Sequence, residues 1–137
     1  MKLILITLTY LFLFATASAD LDKIQGTWKA ASGQIGGKDL PKALLDKMVL
    51  KIKGNTYDYD EGNGHDIGTV KVIAGTSPFA MDIAGTKGPN KGRTYKSIYR
   101  IDGSTLTIYY GLDGHRPGSF DEKGKPMTLL MKFHRAD

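Results

Sequence analysis

From about residue 25 onward, apolar and polar side chains alternate with a period of two, and glycines interrupt the alternation. That period sends successive side chains to opposite faces of an extended strand, so the pattern predicts eight strands. The first covers about Gln25 to Ile35, with Gly26, Trp28, Ala30 and Ser32 on one side and Thr27, Lys29 and Ala31 on the other; Gly36-Gly37 ends it. The second, about Met48 to Lys53, turns Met48, Leu50 and Ile52 inward, and the third, Thr56 to Glu61, alternates Tyr57 and Tyr59 against Asp58 and Asp60. The fourth, about Asp66 to Ile73, gathers Gly68, Val70 and Val72 on one face. The fifth, Phe79 to Ala84, turns Phe79, Met81 and Ile83 inward. The sixth, Arg93 to Ile101, sets Tyr95, Ser97, Tyr99 and Ile101 against Lys96, Ile98 and Arg100. The seventh, Ser104 to Tyr110, faces Leu106, Ile108 and Tyr110 inward, and the eighth, Met127 to His134, does the same with Leu129, Met131 and Phe133.

One stretch breaks the period. Between the first two strands, Asp39-Leu40-Pro41 reads as a helix start, with Asp39 as the cap and proline in the first turn. Leu40, Leu44, Leu45 and Met48 then share a face at helical spacing. Such a stripe suits a fixed cover over one end of a barrel, with a moving lid as the alternative. Short strands joined by tight turns, with one helix, imply an all-β antiparallel domain. Eight strands suit a closed up-and-down barrel, and a two-sheet sandwich is the competing fold.

The expected fold starts at residue 20. Residues 1–19 carry an early lysine, Lys2, then an apolar run from Leu3 to Phe14, then Ala17-Ser18-Ala19, the pattern of a cleaved secretory leader. The domain expected is therefore 20–137, in a chain exported to the periplasm or beyond. No cysteine occurs, so the fold relies on its core rather than on disulfides, and thiolate metal sites are excluded. The formal net charge is +5, one unit of it from Lys2. That is ordinary for a soluble surface and favours at most weak attraction to anionic polymers. Nucleic acid is not an expected partner, because the basic residues are dispersed.

Candidate chemistry is sparse. His65, His115 and His134 fall in no metal-ligand spacing. Asp58, Asp60 and Glu61 beside Gly62-Asn63-Gly64 offer oxygens to a hard cation, but not at EF-hand spacing, and read as a solvated hairpin tip. There is no nucleophile elbow; Ser97 is expected to face inward, bonded to backbone, and Asp58, Asp60 and Asp82 outward. No catalytic residue, metal or cofactor is assigned. The loop Gly88 to Thr94 lacks the order of a phosphate-binding loop. With Lys87, Lys91, Arg93 and Lys96 it forms a basic patch, read either as a docking point for an anionic surface polymer or ligand, or as a solvated turn whose glycines supply positive φ. The aromatic set is the binding candidate. Tyr57, Tyr59, Tyr95, Tyr99 and Tyr110 share the inner face with Met81, Met131 and Phe133. Tyrosine combines an apolar body with a polar tip, which suits a small, partly apolar ligand; the same residues would also serve simply to fill the barrel.

Gly26-Thr27-Trp28 enters the first strand and Arg135 ends the last. A glycine for backbone room, an indole to fill the floor and a guanidinium to stack on it make a barrel plug of the lipocalin kind. The opening Leu21 to Lys29, the segment Gly37 to Pro41, the loop and strand Gly88 to Thr94 and Ile98 to Leu106, His115 to Phe120, and the ending Lys132 to Arg135 together resemble the planctomycete-type lipocalin-like domain family of exported bacterial proteins. The likeness spans nearly all of residues 20–137. It implies a lipocalin-like barrel and carries no substrate or catalytic residue, since members have no assigned function. Many members hold a cysteine after the seventh strand, where this chain has Tyr109-Tyr110. The expected role is a non-enzymatic binding module, with a filled barrel contacting a protein or polysaccharide through its loops and outer face as the alternative.

Overall fold

The computed structural model describes residues 20–121 and 125–137; the leader expected over residues 1–19 lies outside the described residues. The strands are β1 (Gly26–Ile35), β2 (Lys38–Asp39), β3 (Val49–Lys53), β4 (Thr56–Asp60), β5 (His65–Ile73), β6 (Phe79–Lys87), β7 (Thr94–Asp102), β8 (Thr105–Gly111) and β9 (Thr128–Arg135). Apart from the two-residue β2, which doubles back on the end of β1, each strand pairs antiparallel with the next, and β1 also pairs with β9 from Trp28↔Arg135 to Ile35↔Leu129. The result is a closed, eight-stranded, up-and-down barrel. Closure lets the first and last strands satisfy each other's backbone groups instead of presenting two edges.

Alternation places the core. Trp28, Leu50, Ile52, Tyr57, Val70, Met81, Ile83, Leu106, Ile108, Met131 and Phe133 are buried in one interior cluster. The alternation shifts once, in β1. A bulge between Ala30 and Ser32, opposite consecutive residues Phe133 and Lys132 of β9, inserts one extra residue. Ser32, expected on the side of Trp28, is therefore exposed, and Gly33 is buried in its place. A Cβ at Gly33 would press on the Met131 sulfur and the Leu40 methyl, so a larger residue there requires these two flexible side chains to shift.

Three outward apolar residues are also buried: Ala80, Ile98 and Tyr109, neighbours across β6, β7 and β8. The connection after β8 folds over them. Phe120 stacks on Tyr109 with ring centres 6.4 Å apart, and the Arg100 guanidinium lies 4.6 Å from the centre of the Phe120 ring. Arg116 donates to the carbonyls of Met81 (3.2 Å) and Ser97 (2.8 Å) and pairs with Asp82 at 2.6 Å. The barrel thus has a small second core outside its wall.

The cover is shorter than the leucine spacing predicts. The helix is one turn, Lys42–Leu45, entered through Pro41 with no side-chain cap. Asp39 lies in β2, where its carboxylate accepts from the Gln34 amide at 2.9 Å. Leu45 is buried and Leu40 half-buried, but Leu44 is exposed. Phe79, expected inside, is 49 % exposed, resting its ring beside Tyr99 with centres 5.8 Å apart.

Candidate functional site

The two ends of the barrel differ. At one end Trp28 is fully buried and its indole N–H donates to the Ile24 carbonyl at 2.9 Å. Arg135 covers it, with the guanidinium carbon 4.1 Å from the ring centre. The same guanidinium donates to the carbonyls of Gln25 (2.6 Å) and Lys23 (3.0 Å), tying the segment that precedes β1 to the end of β9. Gly26, at φ +117°, lies so close to Arg135 and Asp137 that a Cβ would overlap both.

Above this floor the interior is not filled. A cavity of about 240 Å³ runs toward the other end, where half-buried Leu40, Met48, Glu61, Asn90, Leu112 and Leu129 form its rim. Leu50, Ile52, Val70, Ile83 and Ile108 make its walls. Of the seven residues expected to line a pocket, Tyr57, Tyr59, Met81, Tyr95, Tyr110 and Met131 do so. Tyr99 does not: its ring packs against Phe79, and its buried hydroxyl lacks a hydrogen-bond partner among the described residues.

The polar groups of the cavity converge on one residue that the strand pattern left unremarked. Asp66 is inward-facing and only 6 % exposed. Its Oδ2 accepts from the Tyr57 hydroxyl at 3.1 Å and from the Asn90 amide at 2.8 Å, while the Tyr95 hydroxyl donates to Asn90 Oδ1 at 2.8 Å. Its Oδ1 is buried without a partner among the described residues. Glycines shape this network. A side chain at Gly68 would run into the Ala84 carbonyl and the Tyr57 ring, so Gly68 leaves the space in which Tyr57 reaches Asp66. Gly85 lies against the Asn90 backbone, and the backbone bonds from Gly85 to Arg93 and from Gly92 to Gly85 fold the loop inward, carrying Asn90 with it.

Burial and nearby carboxylates act on this end together. Burial, then the charge of Asp66, raises the Glu61 carboxyl above the usual glutamate range. Burial also pushes the hydroxyls of Tyr57, Tyr59 and Tyr110 well up, so all three remain protonated donors at ordinary pH. Among the described residues the lining contains two acids, Asp66 and Glu61, and no lysine, arginine or histidine.

The sequence offered a signal for two of these residues. Asp66 has the same parity as Gly68 and Val70, and Glu61 the same parity as Tyr57 and Tyr59, so both acids extend inward faces. Asn90 gave none, because its direction is set by a loop rather than by a period.

The remaining candidates stand apart. His65 lies outside the barrel, 2.7 Å from Asp58, and its pKa is raised by that bond and charge. His115 sits by Asp113 at 3.4 Å and His134 by Thr105 at 3.2 Å, both exposed. Among the described residues no three histidines or acids converge in a geometry that would hold a metal. Ser97 Oγ is buried but makes no hydrogen bond among the described residues, contrary to the expected backbone bond, and its backbone carbonyl, rather than its hydroxyl, meets Arg116. Lys87, Lys91, Arg93 and Lys96 are exposed around the loop that delivers Asn90. No family model, no curated protein and no solved structure matches the chain.

Proposed function

We propose that this chain is an exported, non-enzymatic binding module that holds a small, partly apolar ligand inside its barrel. The observation that carries this reading is the cavity itself: about 240 Å³ of space with aliphatic walls and a few convergent polar groups at one end. An enclosed apolar space of about 150 Å³ is enough to bind benzene, so the cavity suits a molecule of one ring or a short chain with a polar head. The plugged floor supports it too, since Trp28 and Arg135 close one end and leave the rim as the approach. The leader pattern of residues 1–19 and the family likeness support export. The alternative, a barrel acting only through its outer face, would call for a filled interior.

Native mass spectrometry of the protein isolated from its own host tests the reading. A reproducible adduct of one small molecule is expected, lost when Val70→Trp fills the cavity. A bare mass across repeated preparations, together with no binding of small apolar probes, overturns it.

A further inference from the structure

We infer that the cavity selects an organic cation, a protonated primary amine whose ammonium group is held by Asp66 and Glu61 and whose short or single-ring tail lies among Val70, Ile83 and Ile108; this rests on the pocket reading above.

The cavity has a marked imbalance of charge. Among the described residues two carboxyl groups line it and no basic side chain does. Asp66 is nine-tenths buried, yet among the described residues no cation meets it: its hydrogen bonds come from a phenol and an amide, and one oxygen has no donor. A carboxylate withdrawn from water without a counter-charge is costly, and an ammonium ion supplies that charge. The rim favours the same sign. Glu61 holds its proton more tightly than usual because it is partly buried in the field of Asp66, and an arriving cation relieves that repulsion. A carboxylate or phosphate ligand would meet two acids and, among the described residues, no positive partner. A divalent metal would find two carboxyl residues, short of the six or more oxygens that calcium takes. The surrounding walls are aliphatic, so the cation must carry an apolar body.

Three probes with one tail test this by calorimetry at neutral pH: 2-phenylethylammonium, 2-phenylethanol and phenylacetate. The ammonium is expected to bind at least about tenfold more tightly than the alcohol, as charge-assisted hydrogen bonds outweigh neutral ones, and phenylacetate is expected to bind weakest. Asp66→Asn should collapse the difference between ammonium and alcohol. Should that variant not fold, Glu61→Gln at the rim is expected to reduce the ammonium preference by roughly threefold, the share of a single partly exposed charge. An alcohol or carboxylate that binds as tightly as the ammonium overturns the cation inference and leaves the pocket reading standing. Failure of all three probes overturns the pocket reading and this inference with it. An ammonium preference that survives both substitutions overturns the assignment to these two acids.

Discussion

The guanidinium of Arg135 lies 4.1 Å from the centre of the Trp28 ring, and the two residues are also direct partners in the ladder that closes the barrel. One contact therefore joins backbone closure to the packing of the floor. Arg135 bridges further, to the carbonyls of Lys23 and Gln25, which flank the fully buried Ile24. The approach to the first strand, the floor and the last strand form a single unit.

Trp28→Ala is expected to lower stability by about 3–5 kcal/mol, because a large buried ring leaves a cavity that the closed ladder cannot collapse around. Arg135→Lys keeps the charge but loses the planar fork that reaches two carbonyls and the ring face, and should cost about 1–2 kcal/mol. Urea denaturation of the two variants checks both values. Equal midpoints for Trp28→Ala and the parent would mean that the indole does not support the floor.

Gly68→Ala should be more harmful than its single methyl suggests. The added carbon meets the Ala84 carbonyl of the neighbouring strand and the ring of Tyr57. Relief requires the β5–β6 ladder to part or Tyr57 to leave Asp66, and overpacking of this kind costs about 1–3 kcal/mol. Thermal melts should show the loss. Probe binding should weaken as well, because Tyr57 is one of the two donors that orient Asp66.

Glu61→Gln is expected to stabilise the ligand-free protein at neutral pH. Burial and Asp66 raise the folded-state pKa of Glu61, so between the usual glutamate range and that raised value the folded chain binds more protons than the unfolded one. Stability therefore falls as pH rises through this window and stays reduced above it. The variant lacks the titration, so its melting temperature should exceed the parent's at pH 7 and coincide with it below about pH 4, where the glutamate is protonated in both states. An advantage that persists undiminished at low pH would assign the effect to packing instead.

What the sequence made legible follows from what has a period. Trp28, Met81, Ile108 and Met131 sit inside because strand alternation is rigid, and all eight barrel strands lie within a few residues of their expected bounds. What escaped is local geometry. The bulge that moves Gly33 inward adds one residue without a compositional mark. Phe79 opens β6 beside the cluster's edge, and its position along the strand, not its parity, leaves it half in water. Ile98 and Tyr109 face outward as expected and are buried nonetheless, because a loop of no period comes back over them. The cavity behaves likewise: its aromatic lining was readable, while Asn90 and the partnering of Asp66 depend on how the segment after β6 folds in.

The loop outside the wall makes a last prediction. Arg116 anchors it with three hydrogen bonds: two to carbonyls of the paired residues Met81 and Ser97, and one to the Asp82 carboxylate. Its side chain is 29 % exposed and that of Asp82 26 %, so the ion pair is partly shielded from water. Arg116→Ala removes all three donors at once. With each charged hydrogen bond discounted for that exposure, a loss of about 1–3 kcal/mol is expected. Asp82→Asn keeps an acceptor and the two carbonyl bonds, and should cost less. If the loop's role is to cover Ala80, Ile98 and Tyr109, then Arg116→Ala should also speed amide exchange at Ile98 and Tyr109 while leaving Trp28, on the opposite side of closure, protected. Hydrogen exchange read by mass spectrometry separates this from a uniform loss of stability: acceleration confined to β7 and β8 marks local undocking, whereas acceleration shared by β1 and β9 would mean that the outer loop and the barrel unfold as one.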